Sequence, residues 1–86
     1  MKPALINVQV RLYATLRKYR PDVPHGQSIT VQLTAGSTIS DLLQELGIPE
    51  AETKQSFVNG IIREAEHHLA EGDRLGIFPP IAGGEA

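Results

Sequence analysis

Few side chains in this 86-residue sequence are of types that do chemistry by themselves. His67 and His68 are adjacent, with Glu64 and Glu66 close by and His25 remote. Read as an extended segment, neighbouring histidines point to opposite faces and cannot close on one ion. A zinc site needs three or four convergent ligands, so no metal site is expected. Serines and threonines are plentiful, yet the sequence contains no G-x-S-x-G elbow, no His/Asp arrangement beside a nucleophile, no G-x-x-x-x-G-K-[ST] and no G-x-G-x-x-G. Cysteine is absent. That removes disulfides, thiolate metal sites, a nucleophilic thiol and a side-chain sulfur carrier together. The remaining feature is Pro79-Pro80-Ile81-Ala82-Gly83-Gly84, followed by Glu85 and Ala86. A terminal glycine pair alone is an ordinary frayed end. Two prolines before it stiffen the exit of whatever strand precedes them.

The elements that would position this tail follow from periodicity. Ile6, Val8, Val10 and Leu12 alternate with Asn7, Gln9, Arg11 and Tyr13, a period of two that marks a strand with one buried face. Arg17–Gln27 carries Pro21, Pro24 and Gly26 and reads as a loop. Ile29, Val31 and Leu33 alternate with Thr30, Gln32 and Thr34, an antiparallel partner for the first strand. Thr38 with Asp41 resembles an N-cap pair, and Ile39, Leu42, Leu43 and Leu46 form an apolar stripe ended by Gly47, which predicts a helix over 39–46. Asn59-Gly60 between Ser56-Phe57-Val58 and Ile61-Ile62-Arg63 signals a hairpin. A last strand runs over 74–78 and stops where Pro79 and Pro80 remove ladder donors.

The order strand, strand, helix, strand, strand, strand describes a two-layer α+β domain over residues 1–80, with 81–86 as a flexible tail. A chain this short holds one small core. With a formal net charge of -2 it is not a basic nucleic-acid binder. No apolar run is long enough for a membrane helix, and MKPALINVQVRLY lacks the regions of a signal peptide, so the expectation is a cytoplasmic protein.

The ending DRLGIFPPIAGG (Asp73 to Gly84), preceded by FVNG (Phe57 to Gly60) and opened by VRLYATLRK (Val10 to Lys18), resembles the ubiquitin-like sulfur carriers of the MoaD/ThiS type, and most of all the small subunit of molybdopterin synthase. The resemblance spans essentially the whole chain. It implies a β-grasp fold, a mixed sheet packed on one main helix. It also implies that the C-terminal glycine, here Gly84, is adenylated by an E1-like adenylyltransferase of the MoeB/ThiF type that consumes ATP. The glycine then becomes a thiocarboxylate that donates sulfur in molybdopterin (molybdenum cofactor) biosynthesis. The chain would bind no cofactor and would not be catalytic alone. A Gly83-Gly84 stem has no Cβ atoms and can lie extended in a narrow tunnel. Because the family's active form ends at the second glycine, Glu85 and Ala86 would be removed first, by a processing protease.

By the alternation above, Tyr13 and Phe78 face away from the helix, and Ile62 can join them. In the resembling family such positions, together with those matching Arg17, Pro79 and Pro80, contact the activator or the synthase large subunit of the MoaE type. The basic run Arg17, Lys18 and Arg20 around Tyr19 reads either as solvated surface or as a contact to an acidic rim of the activator. Three other readings stay open: sulfur delivery to thiazole or another small molecule, a ubiquitin-like protein modifier, and a plain interaction module with an inert tail.

Overall fold

The computed structural model describes residues 4–24 and 26–80. Strand β1 (Leu5–Leu12) is followed by a short 3-10 helix (Ala14–Tyr19), β2 (Ile29–Thr34), α1 (Ile39–Leu46), a single 3-10 turn (Glu50–Glu52), β3 (Gln55–Val58), β4 (Ile61–Ile62) and β5 (Arg74–Phe78). The sheet order is β2-β1-β5-β3-β4. β1 pairs antiparallel with β2 and parallel with β5, and β5 and β4 flank β3 in antiparallel register. A mixed five-stranded sheet covered on one face by one helix is the β-grasp architecture, as expected.

The bounds of β2, α1 and β5 agree with the periodicity, and each has a local cause. At the start of α1 the Thr38 hydroxyl accepts from the Asp41 amide at 3.2 Å, and the Asp41 carboxylate accepts from the Thr38 amide at 2.9 Å. This reciprocal capping box satisfies two helix-end donors. The next donors go to a neighbouring loop: the Ile39 and Ser40 amides donate to the carbonyls of His67 and Ala65. Gly47 closes the helix at φ 75°. Asn59 and Gly60, both at positive φ, form the two-residue turn between β3 and β4, the geometry that matches strand twist.

The core lies between sheet and helix. Val8 and Val10 of β1, Leu75 and Ile77 of β5, and Ile39, Leu42 and Leu43 of α1 are buried together. Two segments differ from the sequence expectation. Residues 14–19, half of them assigned to an irregular loop, form a 3-10 helix that drives Leu16 fully into the core. A lone apolar residue in a six-residue turn has no period to betray it. His67 and His68 do not lie in a named strand; the His67 amide closes the turn over Ala65 and Glu66 by donating to the Glu64 carbonyl. His68 makes an isolated bridge to Thr38, and its Nδ1 lies 2.7 Å from the Gly36 carbonyl oxygen. The loop folds there because the open end of α1 needs acceptors, a demand that strand alternation does not see.

Truncating Leu16 removes a fully buried side chain, so Leu16→Ala is expected to lower unfolding free energy by about 2–5 kcal/mol. Arg17→Ala, one residue on and exposed, should change it by less than about 0.5 kcal/mol. Urea unfolding of the two variants checks this; equal stabilities would remove the 3-10 helix from the core.

Candidate functional site

β5 is the strand that precedes the tail, and it is paired through Ile77 on its β1 edge and through Phe78 on its β3 edge. The Tyr13 amide donates to the Ile77 carbonyl at 3.1 Å on one side, and the Lys54 amide donates to the Phe78 carbonyl at 2.7 Å on the other. Pro79, half-buried, and Pro80, exposed, then leave the sheet. Gly83 and Gly84, and with them Glu85 and Ala86, lie outside the described residues.

On the face away from α1, the Tyr13 and Phe78 rings stack in parallel, with centroids 4.2 Å apart and planes 4° apart. Phe57 meets Phe78 edge-on at 5.5 Å. The register produces this cluster. Phe57 pairs with Gly76, Gly76 pairs with Arg11, and Tyr13 continues that outward side of β1 just beyond the strand. Ile62 is the cross-strand partner of Phe57 and so shares the face, with 54% of its surface exposed. Half-buried aromatic and exposed aliphatic side chains on one sheet face make an apolar surface of the kind that partners cover.

Gly76 has a steric role here. A Cβ at this position would lie 3.2 Å from Tyr13 Cε2 and 3.5 Å from Phe78 Cε1. The missing side chain lets the two rings close over the middle of β5. Phe57 is the member that sequence reasoning did not place; Gly76 shares the side of Phe78 by alternation within β5, but its approach to Tyr13, like the meeting of Phe57 with Phe78, follows only from strand pairing.

Arg17 stands apart from this cluster. With Arg20 it lines a separate shallow groove beside Val10, Leu12 and Ile29. The basic run is engaged within the chain. Lys18 Nζ is 3.3 Å from Glu52 Oε1, and the Tyr19 hydroxyl donates to the same oxygen at 2.7 Å. The Tyr19 hydrogen bond, and secondarily the Lys18 charge, hold the Glu52 carboxyl below the usual glutamate range despite some desolvation. The same hydrogen bond raises the Tyr19 hydroxyl.

With this geometry in hand, comparison with known proteins places the chain. The family model for the Mut7-C ubiquitin domain matches residues 5–83. The chain belongs to the Mut7-C ubiquitin family. Among curated proteins no match reaches significance. Solved structures agree on the fold. The Haloferax volcanii HVO 2177 protein superposes with a TM-score of 0.72 at 25% identity, over 93% of this chain and 88% of that one. A Pyrococcus furiosus protein assigned as molybdopterin converting factor, subunit 1, gives 0.69 at 23% identity, over 88% and 99%. Haloferax volcanii small archaeal modifier protein 1 gives 0.70 at 18% identity, over 88% and 99%. The family is thus ubiquitin-like, with MoaD-like proteins among its structural neighbours.

Two outcomes follow from the side-chain geometry. Gly76→Ala should displace the Tyr13 ring by a few tenths of an ångström against Phe78. The Tyr13 ring-proton shifts are expected to change; unchanged shifts would deny the close approach. Tyr19→Phe should raise the Glu52 pKa measured by NMR titration. Because the folded value is depressed, the contact stabilises the native state above the ordinary glutamate pKa and is lost as pH falls through the depressed value. An unaltered Glu52 titration in Tyr19→Phe would refute the assignment of cause.

Proposed function

We propose that this chain is a sulfur carrier whose main-chain carboxyl at Gly84, exposed once whatever follows it is removed by a protease, is the reactive group. The observation that carries this reading is the placement of β5. The final strand occupies the interior of the sheet, is hydrogen-bonded through Ile77 on one edge and through Phe78 on the other, and hands the chain through Pro79-Pro80 to a glycine pair. A terminus anchored so firmly at its base and free of side chains at its tip suits delivery into another protein's active site.

The chemistry then belongs to partners. An E1-like adenylyltransferase of the MoeB/ThiF type would let the Gly84 carboxylate attack the α-phosphorus of ATP, with pyrophosphate leaving. A sulfur nucleophile displaces AMP and leaves a thiocarboxylate. Attack of that sulfur on a pterin precursor held by a MoaE-type large subunit, followed by hydrolysis of the acyl–sulfur bond by water, leaves the sulfur on the pterin and regenerates a carboxylate. Nothing in this sequence of steps needs a side-chain thiol, which accords with the absence of cysteine. The Tyr13, Phe57, Phe78 and Ile62 face, with Pro79 and Pro80 at its edge, is the surface these partners grip. Arg17 lies on a different groove and contributes at most a peripheral contact.

Intact-mass measurement tests the reading. A chain ending at Gly84, given the adenylyltransferase of its host, ATP and a sulfur donor, is expected to gain the mass difference between sulfur and oxygen. A mass that never changes overturns the carrier function, and isopeptide adducts on lysines of other proteins would replace it with a modifier function. Separately, Tyr13→Ala and Phe78→Ala should each weaken activator binding by about 2 kcal/mol while the variants remain folded. Unchanged affinity in the double variant would take the interface off this face.

A further inference from the structure

We propose that Arg11 and Arg74 make the aromatic face a docking surface for an acidic segment of a partner protein, one that sets an apolar side chain on the rings and carboxylates on the two guanidinium groups. This deepens the reading of that face as the grip of a tail-activating protein, and its charge half stands on separate observations. Gln9 pairs with Arg74 and Arg11 with Gly76, so the two arginines are diagonal neighbours on adjacent strands and share the outward face with Phe57 and Phe78. Both arginines line one open groove with Gln9, Tyr13, Ser28 and the phenylalanines.

The charge on this face is one-sided. Its strand positions are Leu5, Asn7, Gln9 and Arg11 of β1, Thr30, Gln32 and Thr34 of β2, Gln55 and Phe57 of β3, Ile62 of β4, and Arg74, Gly76 and Phe78 of β5. None is acidic, in a chain whose formal net charge is -2. The carboxylates of the preceding turn are already committed. Glu71 accepts from the Asn7 amide, and Asp73 accepts from the Ala70 amide and the Asn59 side chain. Among the described residues neither arginine forms an ion pair. Two exposed guanidinium groups with no ion-pair partner among the described residues, set beside an apolar anchor, fit carboxylates bidentately.

The strand rise gives the partner a ruler. Four residues separate Arg74 from Phe78, and Arg11 is level with Gly76, so the two guanidinium positions lie roughly 13 Å and 7 Å behind the Phe78 end, on the side away from the tail. The acidic positions of the occupant therefore trail its apolar contact and do not lie over the departing glycines. Competing occupants fit less well. A second copy packed on this face would bring four arginines and no carboxylate from the strand positions into one interface. A nucleic-acid strand would need free ring faces, and the facing surfaces of Tyr13 and Phe78 are taken by each other.

The test uses the full chain and a synthetic peptide that combines glutamates with one phenylalanine, followed by NMR titration. Shifts centred on Gln9, Arg11, Arg74 and Gly76, weakened about tenfold in R11E/R74E and restored toward wild type in R11K/R74K, are the expected result. Shifts centred on Arg17–Arg20, or none, overturn the proposal. Equal or stronger shifts on this face with an oligouridylate strand, or concentration-dependent dimerisation through it, overturn it as well. A second arm uses the adenylyltransferase and the chain ending at Gly84. There R11E/R74E should raise KM about tenfold with kcat unchanged and flatten the salt dependence of kcat/KM. Wild-type chain that is never charged would sink the carrier reading and leave the peptide arm standing. Efficient charging of R11E/R74E with wild-type KM would sink the arginine proposal and leave the carrier reading standing.

Discussion

The parallel pairing of β1 with β5 is the constraint on which the rest of this molecule depends. It joins the first strand to the last, so everything between must cross over, and α1 fills that crossover by packing its apolar stripe on the inner face. The same pairing puts Tyr13 beside Phe78 and Arg11 diagonal to Arg74. One register thereby builds the core on one side and the candidate docking surface on the other. A slip of one residue would exchange the two faces of β5, burying Phe78 and exposing Ile77.

A central strand also fixes where the chain leaves the sheet. An edge strand can fray from its single neighbour; β5 has two. The hydrogen bonds from Tyr13 and Lys54 hold its final residues from both directions, so the chain's direction of exit is set by the sheet and then by the fixed φ of two prolines. Under the proposed carrier function, the reactive chemistry would reside in partners and the folded body would serve as the handle.

The local connections show the same division of labour. The loop over 64–69 supplies carbonyls to the first free amides of α1, while the capping box supplies the others. The Lys18, Tyr19 and Glu52 contacts tie the 3-10 helix after β1 to the turn after α1, on a part of the surface away from the aromatic cluster. What sequence reasoning offered as a possible activator contact is thus partly occupied within the chain.

Much of the fold was legible without coordinates because it is set by local patterns. Alternation bounded β2 and β5, the stripe at Ile39, Leu42, Leu43 and Leu46 with Gly47 bounded α1, and Asn59-Gly60 announced its turn. Each depends only on residues a few positions apart. Alternation also placed Tyr13, Phe78 and Ile62 on the outward face. The tertiary structure alone decided what depends on pairing partners: Phe57 meeting Phe78, Gly76 making room for Tyr13, Leu16 reaching the core from a six-residue turn, and Arg11 lying diagonal to Arg74. Periodicity tells which way a side chain points. Which other side chain it meets there is decided by strand order and register, and these are fixed by long-range burial that no local window contains.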